Sequence, residues 1–284
     1  MMTSIHQIAV ITDLTFREAR RRRLVWIALG LGGAFVILFS LGYAAICDEV
    51  YAQAGSPTIG KAIIEEASGI YLSAGLYAIN FLVIMLTVLT SVGAISSEIA
   101  SGTIHTLAAK PIRRHEILLG KWIGLAVMLA IYIVLMSSAM MLALLLISGF
   151  AAPNPVPAIA ILILEGLAVL SVTLLGSAIF STLANGVVIF MLYGLAFVGG
   201  WVEQIGVMLR SQTAKDLGIV SSLLMPSEAL WRYAASLLQP GGLGADVTPF
   251  SNVSTPTPAF LIYAGIYVVV MLVASMVAFS RRDF

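Results

Sequence analysis

Six apolar runs of 16 to 26 residues divide this 284-residue chain. An α-helix rises about 1.5 Å per residue and the hydrocarbon core of a bilayer is about 30 Å thick, so runs of this length are read as spans. Lipid offers no partner to a backbone N–H or C=O, and a helix satisfies both internally. The runs are residues 24–46, 70–95, 122–147, 158–183, 187–202 and 259–279. Only 10% of the residues are charged, against about 25% in an ordinary soluble domain. The expectation is an all-α integral membrane protein, one domain over 1–284, with six transmembrane helices.

The segments between the runs differ in character. Residues 4–23 place Ile5, Ile8, Ala9, Thr12, Phe16 and Ala19 at helical spacing, with Gln7, Asp13, Arg17 and Arg20 elsewhere on the wheel. This is the pattern of an amphipathic helix in the inner membrane interface, ending on the basic cluster Arg20 to Arg23 against lipid head groups. The first run is too long for a signal-peptide core, and the N-terminus is expected to be retained. Residues 47–69 are polar and acidic; Pro153, Pro155 and Pro157 make a short turn; Ala184-Asn185-Gly186 breaks the fourth run from the fifth. Residues 204–258 carry apolar patches too short to span, among them Ile219 to Met225. Short interfacial or re-entrant helices are predicted there around 204–211 and 226–238.

Six spans put both termini on one side. That side collects eleven cationic residues (Arg17, Arg20 to Arg23, Lys110, Arg113, Arg114, Lys121, Arg281 and Arg282) and the other keeps four, Lys61, Arg210, Lys215 and Arg232. By the positive-inside rule the termini and residues 97–121 face the cytoplasm of a cell (inner or plasma) membrane, with 47–69 and 204–258 outside. The bases follow topology rather than one face, so nucleic acid is not an expected partner; membrane lipid is.

Several chemistries lack their residues. Cys47 is the one cysteine, which excludes an intrachain disulfide or a CxxC motif. His6, His105 and His115 are not grouped at ligand spacing, so no metal site and no hydrolase is expected. Gly55-Ser56-Pro57-Thr58-Ile59-Gly60-Lys61-Ala62 approaches a phosphate-binding loop, but Ala62 stands where a magnesium-holding hydroxyl is needed and no buried strand precedes it. No cofactor is expected on this chain. Glu165 is the one ionisable residue well inside a run; such a carboxylate is expensive in lipid and faces a bundle interior or wet cavity. It is a candidate for a translocation path. Asn80, Ser91, Ser171, Thr173 and Ser177 read as contacts between helices, and Met128, Met136, Met140 and Met141 as packing or lipid-facing surface.

Residues 96–121, SSEIASGTIHTLAAKPIRRHEILLGK, interrupt the second and third runs. Pro111 lacks an amide hydrogen and disfavours helix at Lys110, so a short helix over 97–109 is predicted to stop there. Ile99, Thr103, Thr106 and Leu107 give it one partly apolar face. The pattern Glu98-x-x-Ser101-Gly102-Thr103-Ile104, Leu107, Pro111-Ile112-x-Arg114, Leu118-Leu119-Gly120-Lys121-x-x-Gly124 resembles the loop after the second helix in permease subunits of type-2 ABC exporters. Length, helix count and N-terminal pattern agree over the whole chain. The resemblance implies an elbow helix at the N-terminus, a cytoplasmic coupling helix in this loop, and short helices capping the path before the last span. It also implies two ABC ATPase subunits that carry ATP and magnesium, and a second copy of this permease or a close paralogue. On that reading Glu98, Ser101, Gly102, Thr103, Leu107, Pro111, Arg113 and Arg114 serve ATPase coupling, and the chain is not itself an enzyme. A stand-alone secondary transporter and an intramembrane enzyme are the alternatives. The first wants repeated halves with broken helices and more intramembrane charge; the second wants a catalytic pair.

Overall fold

Runs that must satisfy their own backbone groups form helices, and here they do so beyond the apolar residues themselves. The computed structural model describes residues 4–21, 23–97, 114–239 and 256–281, and among these there are nine helices and no strand. They are α1 (Ser4–Arg21), α2 (Arg23–Gln53), α3 (Pro57–Ser91), α4 (Arg114–Ser148), α5 (Pro155–Ile179), α6 (Thr182–Met208), α7 (Gln212–Leu224), α8 (Ser227–Leu238) and α9 (Ala259–Ser280). Six of them, α2 to α6 and α9, are long and apolar enough to cross a membrane. With 13 and 12 residues, α7 and α8 are too short.

The most enclosed spans are α3 and α5. α5 is the hub, packed against α3, α4, α6, α8 and α9. Leu72, Leu76 and Ile79 of α3, Leu129, Ile133 and Met140 of α4, and Leu170 and Leu174 of α5 form the centre of the core. Met128 and Met136 are buried with them, so these α4 methionines are packing residues rather than a lipid-facing row.

Helix ends do not fall where hydropathy falls. α2 continues through Asp48 and Glu49 to Gln53, and α3 starts at Pro57, so most of the polar segment predicted over 47–69 is helix. A helix satisfies its backbone in water as well as in lipid, so a polar turn ends the hydropathy signal without ending the hydrogen-bond ladder. Ser56 caps α3 by accepting from Ile59 N–H at 3.4 Å, and Pro57 takes the first helical position. The near phosphate-loop is thus a helix start with no strand before it. Likewise α4 begins at Arg114 rather than at residue 122.

Two predicted features sit elsewhere. The break between the fourth and fifth runs is at Phe180–Ser181, and Asn185 and Gly186 lie inside α6. α6 runs on to Met208 and occupies most of the place of the short helix expected at 204–211. Leu209 caps it, Arg210 adopts φ 54, and the N–H groups of Ser211 and Arg210 bond back to Gly206 O (2.8 Å) and Val207 O (3.2 Å). This left-handed closing turn reverses the chain. α7 then returns along α6 at backbone contact distance: a Cβ on Gly206 would lie 2.8 Å from Ala214 Cβ, and one on Gly218 would overlap the Glu203 side chain. The chain turns again at Met225–Pro226, and α8, close to the predicted 226–238, runs parallel to α6 with Glu228 at Gly200 and Arg232 at Glu203. Asn154, at the α4–α5 turn, donates to Leu237 O near the end of α8 (3.4 Å). Tyr263 and Tyr267 of α9 donate to Leu223 O (2.5 Å) and Leu224 O (2.8 Å), occupying carbonyls that the last turn of α7 leaves open.

Candidate functional site

The site predicted from sequence lies mostly outside the described residues: Glu98, Ser101, Gly102, Thr103, Leu107, Pro111 and Arg113 are all there, with all but the first residue of the helix expected over 97–109. The two stems that carry this segment, 92–97 and the start of α4, are described. Both are held by side-chain hydrogen bonds, among them those of the buried Ser177, Asn185 and Lys121.

On the incoming stem, Ser177 Oγ of α5 accepts from the N–H groups of Ile95 (3.0 Å) and Ser96 (3.2 Å). Ser96 and Thr182 share a hydroxyl–hydroxyl bond of 2.8 Å. Asn185 Nδ2 donates to Val92 O and to Thr173 O, each at 3.0 Å, and so ties the end of α3 to both α5 and α6. The α3 ladder has ended by residue 92, and these side chains take up groups a terminus leaves without helical partners. On the outgoing stem, Arg114 Nη1 donates to Ser280 O at the end of α9 (3.3 Å). Lys121 Nζ, on the second turn of α4, donates to Ala94 O across the gap at 2.6 Å. One buried lysine therefore joins the two stems directly.

α1 completes this end of the bundle. A Cβ on Gly120 would sit 2.7 Å from Ile11 Cβ, and one on Gly124 would sit 2.9 Å from Thr12 O. Thr12 Oγ1 donates to Gly120 O at 3.2 Å. The two glycines, four residues apart, form a groove on α4 that seats α1. The buried side of α1 contains Ile8, Thr12, Phe16 and Ala19 of the predicted face, adds Ile11 and Thr15 against α4, and leaves Ala9 exposed.

Deeper in the bundle lies a second polar cluster. Glu165 is buried in α5, as expected for a carboxylate facing protein, and Oε1 accepts from Asn80 Nδ2 of α3 at 2.9 Å. Arg232 of α8, counted from sequence among outer cations, is among the largest fully buried side chains, with Nη2 2.6 Å from Glu203 Oε2 of α6. Glu228, within the segment expected outside, and Glu203, just before it, are buried as well. Nothing in the spacing of Glu203, Glu228 and Arg232 announces a cluster, because α7 must fold back on α6 before α8 can bring them together.

Burial pushes the Glu228 carboxyl up to about 7, with Glu203 adding to the rise and Arg232, one turn on, opposing it. A folded-state value above the ordinary 4.5 means that the folded chain holds this proton more tightly. The associated stability is therefore complete below about pH 4.5 and is lost as pH rises through about 7. Relative to Glu228→Gln, the wild type should lose on the order of 3 kcal/mol between pH 5 and 8. Thermal unfolding in detergent at a series of pH values checks this, and parallel pH curves for the two proteins would contradict it.

Among known families, the model described as ABC-2 family transporter protein matches residues 9–284. No curated protein matches the chain.

Proposed function

Because the chain belongs to the ABC-2 family of transporter proteins, we propose that it is the membrane-spanning subunit of an ATP-driven exporter, coupled through residues 97–121 to a separate ATPase. Two such subunits, this chain paired with a second copy or a close paralogue, form the path, and two ATPase chains bind below with ATP and magnesium. The termini and residues 97–121 face the cytoplasm, in keeping with the eleven-to-four distribution of cations. α1 is the elbow helix at the inner interface. The α7–α8 hairpin enters the bundle from the outer side and returns, each arm short of a span.

The observation that carries this reading is the construction of the two stems. A loop that only sets topology needs no fixed anchor, whereas one that transmits a push must be stiff where it joins the spans. Here Ser177, Asn185 and Lys121 fasten residues 92–96 to α4, α5 and α6. A displacement of the loop is thereby passed to the hub helix and its neighbours.

Damage to the loop should uncouple the transporter rather than unfold it. Glu98→Ala and Gly102→Trp are expected to leave expression intact, to weaken co-purification of the ATPase or its stimulation, and to abolish export. Arg113 or Arg114 alone is expected to matter less, since a rim ion pair contributes only about 0–1 kcal/mol. The assay is pull-down, ATPase rate and export in the reconstituted complex. Normal values in both variants would reduce the loop to a topology signal.

A further inference from the structure

Glu165 is 1% exposed, and among the described residues only one of its carboxyl oxygens is engaged: Oε1 meets Asn80, while Oε2 has no hydrogen-bond partner there. A buried carboxyl oxygen without a donor can hold a negative charge only if a positive charge or a donor comes to face it. Among the described residues, the neighbouring charges do not supply one. Arg232 is engaged by Glu203, and Glu228 lies close enough for its charge to act on Glu165. Three carboxyl groups thus gather around one guanidinium.

Aromatic rings lead from the surface to this point. Trp201, 36% exposed, is 6.2 Å between ring centres from Phe197; Phe197 is 6.3 Å from Tyr77; and Tyr77 meets Trp231 edge-on at 5.2 Å. Trp231 is 5% exposed. Trp201 is the most exposed of the four and Trp231 the least, with Phe197 and Tyr77 half-buried between them, and the carboxyl groups of Glu165 and Glu228 both act on Tyr77. Ring faces attract cations, most of all where water is excluded. A compact metal ion suits the arrangement poorly, because among the described residues no three His, Cys, Asp or Glu side chains are placed to hold one.

We propose that α3, α5, α6 and α8 enclose a binding site for an organic cation, an apolar body bearing a positively charged centre. Glu165 is its counter-ion, and Trp201, Phe197, Tyr77 and Trp231 are its route and wall. The assignment rests on the exporter reading above, whose cargo it names by class. Gly200 permits it sterically: any Cβ there would overlap the Glu228 side chain, so α8 reaches this depth only against a glycine.

The test uses the chain with its ATPase in nanodiscs of phosphatidylcholine. The probes are radiolabelled tetraphenylphosphonium and tetraphenylborate, an anion of nearly the same shape. Tetraphenylphosphonium should bind saturably, and Glu165→Gln should weaken it roughly 10- to 100-fold, the scale of a lost charge-assisted contact. Phe197→Ala, at a half-buried position near the mouth, should weaken it by roughly 2- to 5-fold and serves as the test if Glu165→Gln does not fold. Tetraphenylborate should not compete. Equal affinity in wild type and both variants, equally tight binding of the borate, or no saturable binding of the phosphonium would overturn the proposal. Loss of cation selectivity with ATPase association intact removes this site and leaves the exporter reading standing. Cation binding without any ATPase association supports the site and removes that reading.

Discussion

Arg232→Met lowers the stability of the folded chain by about 3–5 kcal/mol, the usual cost of removing one partner from a buried ion pair. The guanidinium is 1% exposed and lies 2.6 Å from Glu203. Its removal leaves Glu203 and Glu228 in the same enclosed space without the cation that offsets them. The thermal midpoint should fall by roughly 10 °C, since 1 kcal/mol is worth about 2–4 °C in a chain of this size. Arg232→Lys keeps the charge but not the planar fork, and an intermediate loss is expected. Adding Glu203→Met to Arg232→Met should recover part of the stability, because the pair costs more half-removed than wholly removed. Unfolding of the two single variants and the double variant forms the cycle. If Arg232→Met matched the wild type, the pair would not hold α8 against α6.

Gly124→Leu should separate α1 from α4. A Cβ at this position meets Thr15 Cβ at 2.8 Å and Thr12 O at 2.9 Å. The second is a backbone atom within a helix and cannot turn aside as a side-chain end can. Overpacking within a core costs about 1–3 kcal/mol when side chains can adjust; here the adjustment is displacement of α1 itself. Hydrogen exchange followed by mass spectrometry should show faster exchange across 8–19 and little change in α5. Gly30→Leu and Gly33→Leu are the comparison, since among the described residues a Cβ at either position has nothing within 4 Å. Unchanged exchange in 8–19 would mean that the glycine groove does not hold α1.

Gly120 and Gly124 show how the resemblance and the geometry meet. Both belong to the pattern seen in the sequence, where they are letters at a spacing. In the fold they are the places where one backbone approaches another. Glu165 was legible because charge inside an apolar run has few inexpensive uses. Asn185, by contrast, read as a break between spans, since asparagine with glycine usually ends a helix. Its amide instead bonds Val92 and Thr173 on other helices, a use no local pattern reveals.

Hydropathy alone determined that the chain is a bundle of six spanning-length helices, because twenty or so apolar residues in succession have one economical backbone solution in lipid. Charge counting determined its expected orientation, and the polar interruption at 96–121 determined where to look for a partner. Only the tertiary structure decided where helices begin and end in their polar turns, that Ile11 and Thr15 of α1 meet the glycines of α4, and that 204–238 is the end of one long helix followed by a hairpin. It alone gathered Glu165, Glu203, Glu228 and Arg232, which belong to three helices. Their meeting depends on the reversal at Arg210 and on glycines at Gly199, Gly200, Gly206 and Gly218 that let α7 and α8 lie against α6. A hydropathy profile sums the preference of each residue for lipid. It carries nothing about which side chains face one another once the helices have packed.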